Sequence, residues 1–155
     1  MKKFSSLFKI LKAVLIVAVA VLLARSVYNG VRYSRWSSLS AAQVLSESGG
    51  RYEEFLSFAE DRSDGAHETF LNLCGKLDWK QLSLSGSESV AFTCDSLLGT
   101  LRLLIVDSAS GRVVHDALIG SAQEIPMESG SYQIYLLGNW FTGSVEIQHK
   151  GGSGL

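Results

Sequence analysis

Residues 89–106 read SVAFTCDSLLGTLRLLIV, and the spacing within them decides the fold class. Val90, Phe92 and Cys94 alternate with Ser89, Ala91 and Thr93, and Leu101, Leu103 and Ile105 alternate with Arg102, Leu104 and Val106. A period of two sets neighbouring side chains on opposite faces of an extended chain, so both runs are expected to be strands. Downstream, Asp107 to Arg112 holds the Asp, Ser and Gly of a tight turn, and Val113 to Ile119 supplies the returning strand. Tyr132 to Leu137 and Phe141 to Gln148 follow, joined through Gly138 and Asn139, while Trp79 to Leu84 lies upstream. About six antiparallel strands at this spacing predict a mainly-β domain, a β-sandwich over 76–149.

Leu101 to Val106 and Tyr132 to Leu137 are apolar on both faces. One face meets the second sheet, and the other is expected to receive a short helical hairpin at 51–75. Tyr52, Phe55, Leu56 and Ala59 recur at the i, i+3, i+4, i+7 spacing of an amphipathic helix, with Ala66, Phe70, Leu73 and Cys74 as a second stripe. Ser63, Asp64 and Gly65 form the turn between them, and Gly49 and Gly50 break the chain before them. The Ser-rich stretch before that, within 32–50, reads as a juxtamembrane stalk carrying one short helix.

The chain has 155 residues, 46% hydrophobic and 19% charged, enough for one modest domain. Residues 1–35 hold seven of the 14 Lys and Arg and none of the 15 acids, so this segment carries +7 and the rest −8. An acidic body argues against a nucleic-acid partner, which needs clustered Lys and Arg. The basic start flanks twelve uninterrupted apolar residues, Ala13 to Ala24, bracketed by Lys12 and Arg25. At 1.5 Å per residue that core covers about 18 Å, short of the roughly 30 Å hydrocarbon layer. Apolar flanks supply the remainder, with Lys9, Lys12 and Arg25 snorkelling and Tyr28, Tyr33 and Trp36 as an interfacial belt.

Three readings compete here. A transmembrane signal-anchor helix over 13–31, following a basic cytoplasmic tail at 1–12, needs no processing site. A cleaved secretory signal has the Lys2 and Lys3 start and a short apolar region, with a poor cleavage site because Leu22 precedes Ala24 at the small-residue position. A surface-lying helix needs a polar face, which Ala13 to Ala24 lacks. The anchor is preferred, the N-terminus cytoplasmic by four basic residues before the apolar core against three after it, and the C-terminal domain extracytoplasmic. Secretion after cleavage is the alternative localisation.

The run Gly99, Leu101, Leu103, Ile105, Asp107, Gly111, Val113, Val114, then Ile125, Pro126, Gly130, Tyr132, Ile134, Leu136, Gly138, Gly143, Val145 and Ile147 resembles the small extracytoplasmic β-sandwich domains of bacterial membrane-anchored or lipoprotein-like proteins. The resemblance covers about 77–149 and implies architecture alone, since glycine turns and alternation define a fold and no activity. The chain departs from the lipoprotein version in having no lipid-attachment Cys near its start.

No catalytic constellation is found. His67, His115 and His149 are scattered, and His115 and Asp116, as strand neighbours, point to opposite faces. Ser6 and Lys9 match a serine–lysine spacing within the basic tail, where the match is chance. There is no phosphate loop, dinucleotide fingerprint or zinc spacing, so no cofactor and no metal are expected. His67 and Cys74 would stand about 10 Å apart along a helix, too far to share an ion. Asp61, Asp64 and Glu68 depart from calcium-loop spacing. Cys74 and Cys94 are read as a disulfide in an oxidising compartment, against the alternative that Cys94 is a small buried apolar residue. Trp79, Tyr132, Tyr135 and Trp140 are the candidate binding aromatics, Trp140 above all because Gly138, Asn139 and Gly143 place it in a hairpin turn. The expected role is a non-enzymatic, membrane-anchored domain contacting the bilayer through 13–31 and an envelope protein. A carbohydrate-binding module is the alternative, with a glycan as partner. The last residues, 150–155, are read as a tail.

Overall fold

The computed structural model describes residues 2–47, 52–54, 56–62 and 65–149. Helix α1 spans Lys2–Ser34 and passes into a 3-10 turn at Arg35–Ser38. The short helix α2, Ala41–Ser46, starts on a capping box in which Ser40 Oγ accepts from the Gln43 N–H and the Gln43 side chain accepts from the Ser40 N–H. Seven strands follow: β1 (Tyr52–Glu53), β2 (Leu56–Arg62), β3 (Gly65–Leu84), β4 (Glu88–Asp107), β5 (Val113–Leu118), β6 (Ala122–Met127) and β7 (Gly130–His149). All pairings are antiparallel, in the order β1-β3-β7-β4-β5, with β2 beside β3 and β6 beside β4.

The pairings force the three 20-residue strands β3, β4 and β7 to fold double. Leu84 pairs with Gly130 at the start of β7, whereas Val90 pairs with His149 at its end. A flat strand of that length would separate those ends by about 66 Å. Ser85, Gly86 and Ser87 alone link β3 to β4, a reach of at most about 14 Å. The two ends of β7 must therefore lie close together. The bend falls where the ladders lose register, between Phe70 and Gly75 on β3 and between Ser96 and Thr100 on β4. Positive φ at Asn72 (64°), Gly75 (105°), Gly99 (76°) and Trp140 (55°) marks the same line. Gly99 is required there: a Cβ on it would stand 2.2 Å from the Trp140 carbonyl oxygen.

Folding double turns one sheet into two facing layers. The first contains β2, β6 and the segments 65–70, 88–96 and 141–149; the second contains β1, β5 and the segments 75–84, 100–107 and 130–138. Between them lies the main core, with Phe70, Phe92, Phe141, Val145 and Ile147 from the first layer and Leu82, Leu103, Ile105, Ile134 and Leu136 from the second. A smaller core sits outside the second layer, where Trp36 and Val44 cover Leu104, Val106 and Leu137.

Several expectations are corrected. The described residues of 51–75 form strands and no helical hairpin: Tyr52–Glu53 and Leu56–Arg62 are strands, and Leu56–Arg62 pairs residue for residue with Gly65–Leu71. Their helical spacing was coincidental, and the backbone pairing that β3 and β7 offer decided the conformation. Phe55, Gly49, Gly50, Ser63, Asp64 and the tail lie outside the described residues. The second face of the sandwich is indeed covered by helix, but by the stretch expected to be a stalk. The runs 90–94 and 101–106 belong to one strand, as do 132–137 and 141–148, so Gly138 and Asn139 mark a fold within β7 and no hairpin turn. Strand β6 was not foreseen.

Candidate functional site

The junction between α1 and the sandwich is built on Ser26, Asn29 and Gly30, which share one helix face at i, i+3, i+4. Asn72 Nδ2 donates to Ser26 Oγ at 3.1 Å, and Asn29 Nδ2 donates to Glu53 Oε2 at 3.0 Å. Gly30 is buried beneath the indole of Trp140, within the distance at which any Cβ would collide with the ring. Two of the three partners on the sandwich side, Asn72 and Trp140, hold left-handed backbone. Asn72 belongs to the few residue types that tolerate it, and its N–H is held by Thr142 Oγ1 at 3.1 Å. Trp140 does not, and a bulky side chain there costs energy that the packing on α1 must offset.

Beyond the junction two cations clamp the 35–47 stretch to the second layer. Lys76 is buried with its Nζ 3.3 Å from the Val44 carbonyl, 4.7 Å from the centre of the Tyr135 ring, 6.0 Å from that of Trp36 and 3.9 Å from Asp78 Oδ1. Arg102 grips Asp116 with both Nε and Nη2, and its Nη1 donates to the carbonyls of Ser37 and Leu39. These contacts satisfy carbonyls that the short helical segments leave open.

Inside the sandwich, Trp79 Nε1 donates to Glu68 Oε2 at 2.7 Å, a bond between the two layers. Burial pushes the Glu68 carboxyl above the usual carboxylate range, the Trp79 bond works against that, and nearby Glu54 adds to it. Tyr52 beside this group is raised as well, by burial and then by Glu54 and Glu68.

The outer face of the first layer is covered by no described element. Cross-strand register places His67 opposite Glu146, Thr93 opposite the other side of Glu146, and Ser144 between Thr69 and Asp95. Two open depressions mark this face: one of about 330 Å³ lined by His67, Thr93, Asp95, Ser121, Ser144 and Glu146, and one of about 360 Å³ involving Thr69, Asp95, Ser96 and Leu97. The face is polar and net acidic, suited to hydrogen bonding. Among the described residues no group of three or more His, Cys, Asp and Glu side chains is placed to hold a metal ion.

The residues singled out in sequence are dispersed. Trp79 and Tyr132 are buried, Tyr132 Oη donating to the Glu128 carbonyl at 2.8 Å. Tyr135 packs with Trp36 and Lys76, and Trp140 packs on α1. They share no common face. Cys74 and Cys94 are both free and buried, correcting the expected disulfide. The Cys74 Sγ points to Asn72 Oδ1 at 3.8 Å, at the fold line, while Cys94 faces the main core, so the thiols occupy different environments. His115 meets the Gln123 amide at 3.4 Å, and burial lowers its pKa, while Asp116 is held by Arg102. Sequence reasoning missed Ser26, Asn29, Gly30, Lys76 and Arg102. The polar, small triplet directly after the apolar run was the available signal for the first three; the two cations left none.

No family model matches the chain, and no curated protein matches it. Among solved structures it is similar to the cupin domain of Drosophila melanogaster CENP-C, at 6% identity over 67% of this chain and 71% of that one, with a TM-score of 0.33. It is also similar to an RmlC-like cupin protein from Desulfovibrio desulfuricans, at 12% identity over 62% and 81% with a TM-score of 0.31. A carbohydrate-binding module of Cellvibrio mixtus lichenase 5A, in complex with cellotriose, matches at 16% identity over 68% and 89%, with a TM-score of 0.33.

Proposed function

We propose that this chain is a single-pass membrane-anchored protein whose extracytoplasmic sandwich, held rigidly to its anchor, contacts a protein of the cell envelope without performing chemistry. The observation that supports it is the state of α1. The helix is long and apolar enough to cross a membrane, none of its most apolar stretch is buried, and Ile10, Leu15, Val21 and Leu23 are exposed. Each such side chain left in water forgoes about 1.5–3 kcal/mol, which a bilayer would supply. The same unbroken helix then enters a specific junction at Ser26 to Gly30, an arrangement that favours an anchor over a signal that is removed. The uncovered polar face of the first layer is the contact surface in this reading, because the opposite face is occupied by Trp36 and Val44.

A glycan is the second reading of that face, favoured by the 330 Å³ depression lined with hydroxyl, imidazole and carboxylate groups. Cell fractionation with external protease on a C-terminally tagged chain tests the main reading. A membrane-bound product digested from outside is expected; a soluble, shortened product overturns it. Polysaccharide pull-down with an Asp95→Ala control addresses the glycan.

A further inference from the structure

We infer that the folded-over edge of the sandwich rests on the lipid bilayer that α1 crosses, with Leu97 and Leu98 set into the headgroup layer; this rests on the anchored reading above. The path of α1 fixes which end of the sandwich is nearest the membrane. Leaving the apolar run at Ala24, the helix first meets Asn72 through Ser26, then Glu53 through Asn29, then Trp140 through Gly30. All three contacts lie on the fold line or beside it. Trp36 comes later and meets Leu104, Val106 and Leu137, farther along the second layer. The links 85–87 and 128–129 lie at the opposite end.

Depth follows from helix geometry. Val27, Tyr28 and Val31 stay exposed while Ser26, Asn29 and Gly30 face the sandwich. At 1.5 Å per residue, Ser26 and Asn29 lie about 3 and 7 Å beyond Ala24, within an interfacial layer of about 5–7 Å on each side of the bilayer. The fold line shares that depth.

Most of the sandwich's exposed apolar side chains gather at this same edge, Phe58 in the middle of β2 and Val113 at the opposite end being the exceptions. Leu97 is 85% and Leu98 64% exposed, on the β4 segment that loses register at the bend. Leu98 pairs with Thr142, whose hydroxyl holds Asn72, which in turn holds Ser26. Leu71 and Leu56, paired across β2 and β3, are exposed beside it, and Leu118, opposite Arg102, stands where β5 ends near the fold line. Adjacent leucines exposed to this degree in water lose burial energy for no folding gain, and a lipid surface at the same depth is the neighbour that would recover it. Asp95 and Glu53 at this edge are balanced by Arg25 and Arg32 on α1, which leaves no net charge to require an anionic surface and suits a zwitterionic one.

The test uses the full chain in phosphatidylcholine vesicles, labelled with an environment-sensitive fluorophore at Leu97→Cys or, independently, at Leu98→Cys. The natural thiols are buried, and a chain without an introduced cysteine should take up no dye. An Ala109→Cys label in the exposed turn at the opposite end serves as reference. The expected result is a blue-shifted emission at 97 or 98 that is quenched by lipids spin-labelled near the headgroup, with no shift or quenching at 109. Emission at both 97 and 98 as water-like as at 109, in chain that floats with the vesicles, overturns the inference and leaves the anchor standing. A blue shift without lipid quenching also overturns it, showing a protein contact there. Chain that fails to float overturns both readings together.

Discussion

The ring of Trp140 and the α-carbon of Gly30 meet so closely that a methyl group on Gly30 would lie 2.3 Å from Cη2 and 2.6 Å from Cζ2. One aromatic side chain, in a backbone conformation that such residues avoid, thus joins the bend of the sandwich to the end of an apolar helix. A rigid junction fixes one orientation of the sandwich relative to α1, which a flexible stalk would not.

Gly30→Ala is expected to destabilise the protein although helix propensity alone predicts the reverse. Alanine favours a helix over glycine by about 0.8–1.0 kcal/mol, whereas crowding a packed site costs about 1–3 kcal/mol. Thermal unfolding in detergent should show a lower Tm and faster tryptic cleavage at Arg32 and Arg35. In a Trp140→Ala background the same substitution should raise Tm, because the ring is gone. A higher Tm for Gly30→Ala in the natural background would mean that the indole does not occupy this position.

Glu68 gives the protein a pH dependence with a definite sign. Its folded pKa is raised by burial above its ordinary value, so between the two values the folded state binds the proton more readily than the unfolded chain. Stability contributed by this group is greatest below the ordinary carboxylate range and declines as pH rises through the raised pKa. Glu68→Gln keeps an acceptor for Trp79 Nε1 and removes the charge. Its Tm should match the natural protein in acid and exceed it near neutrality. A loss of Tm at neutral pH would show that the charged bond to Trp79 outweighs burial.

The two cysteines should behave as inert thiols. Burial pushes the Cys94 thiol up to about 11 and raises that of Cys74 as well, so neither supplies thiolate near neutrality. Maleimide should label the native protein at neither position and the unfolded protein at both. Reductant should change neither gel mobility nor Tm. A mobility shift under reduction would restore the disulfide.

Much of the sandwich was legible. Val90, Phe92 and Cys94, and Leu101, Leu103 and Ile105, do face the core, since alternation reports burial of one face wherever a strand has one wet side. The stretch 52–62 misled because β2 is an edge strand with Leu56 and Phe58 exposed, so burial imposes no clean period of two on it. The site was hardly legible. Trp140 was singled out for lying among Gly138, Asn139 and Gly143, yet its position at a bend, and its packing on Gly30, depend on residues more than a hundred positions apart. Lys76 and Arg102 were invisible as clamps because their partners are backbone carbonyls of Ser37, Leu39 and Val44, which every sequence possesses.

The apolar, basic-flanked helix and the strand-rich acidic body are readable from the residues alone, because hydropathy and periodicity are local quantities and survive without tertiary context. The tertiary structure alone decided that 20-residue strands fold double, that the presumed stalk becomes the cover of the second layer, and that the thiols stay apart. The physical reason is that backbone pairing satisfies whichever segments the connections bring together, and a three-residue link between β3 and β4 fixes that choice more firmly than any side chain within the strands.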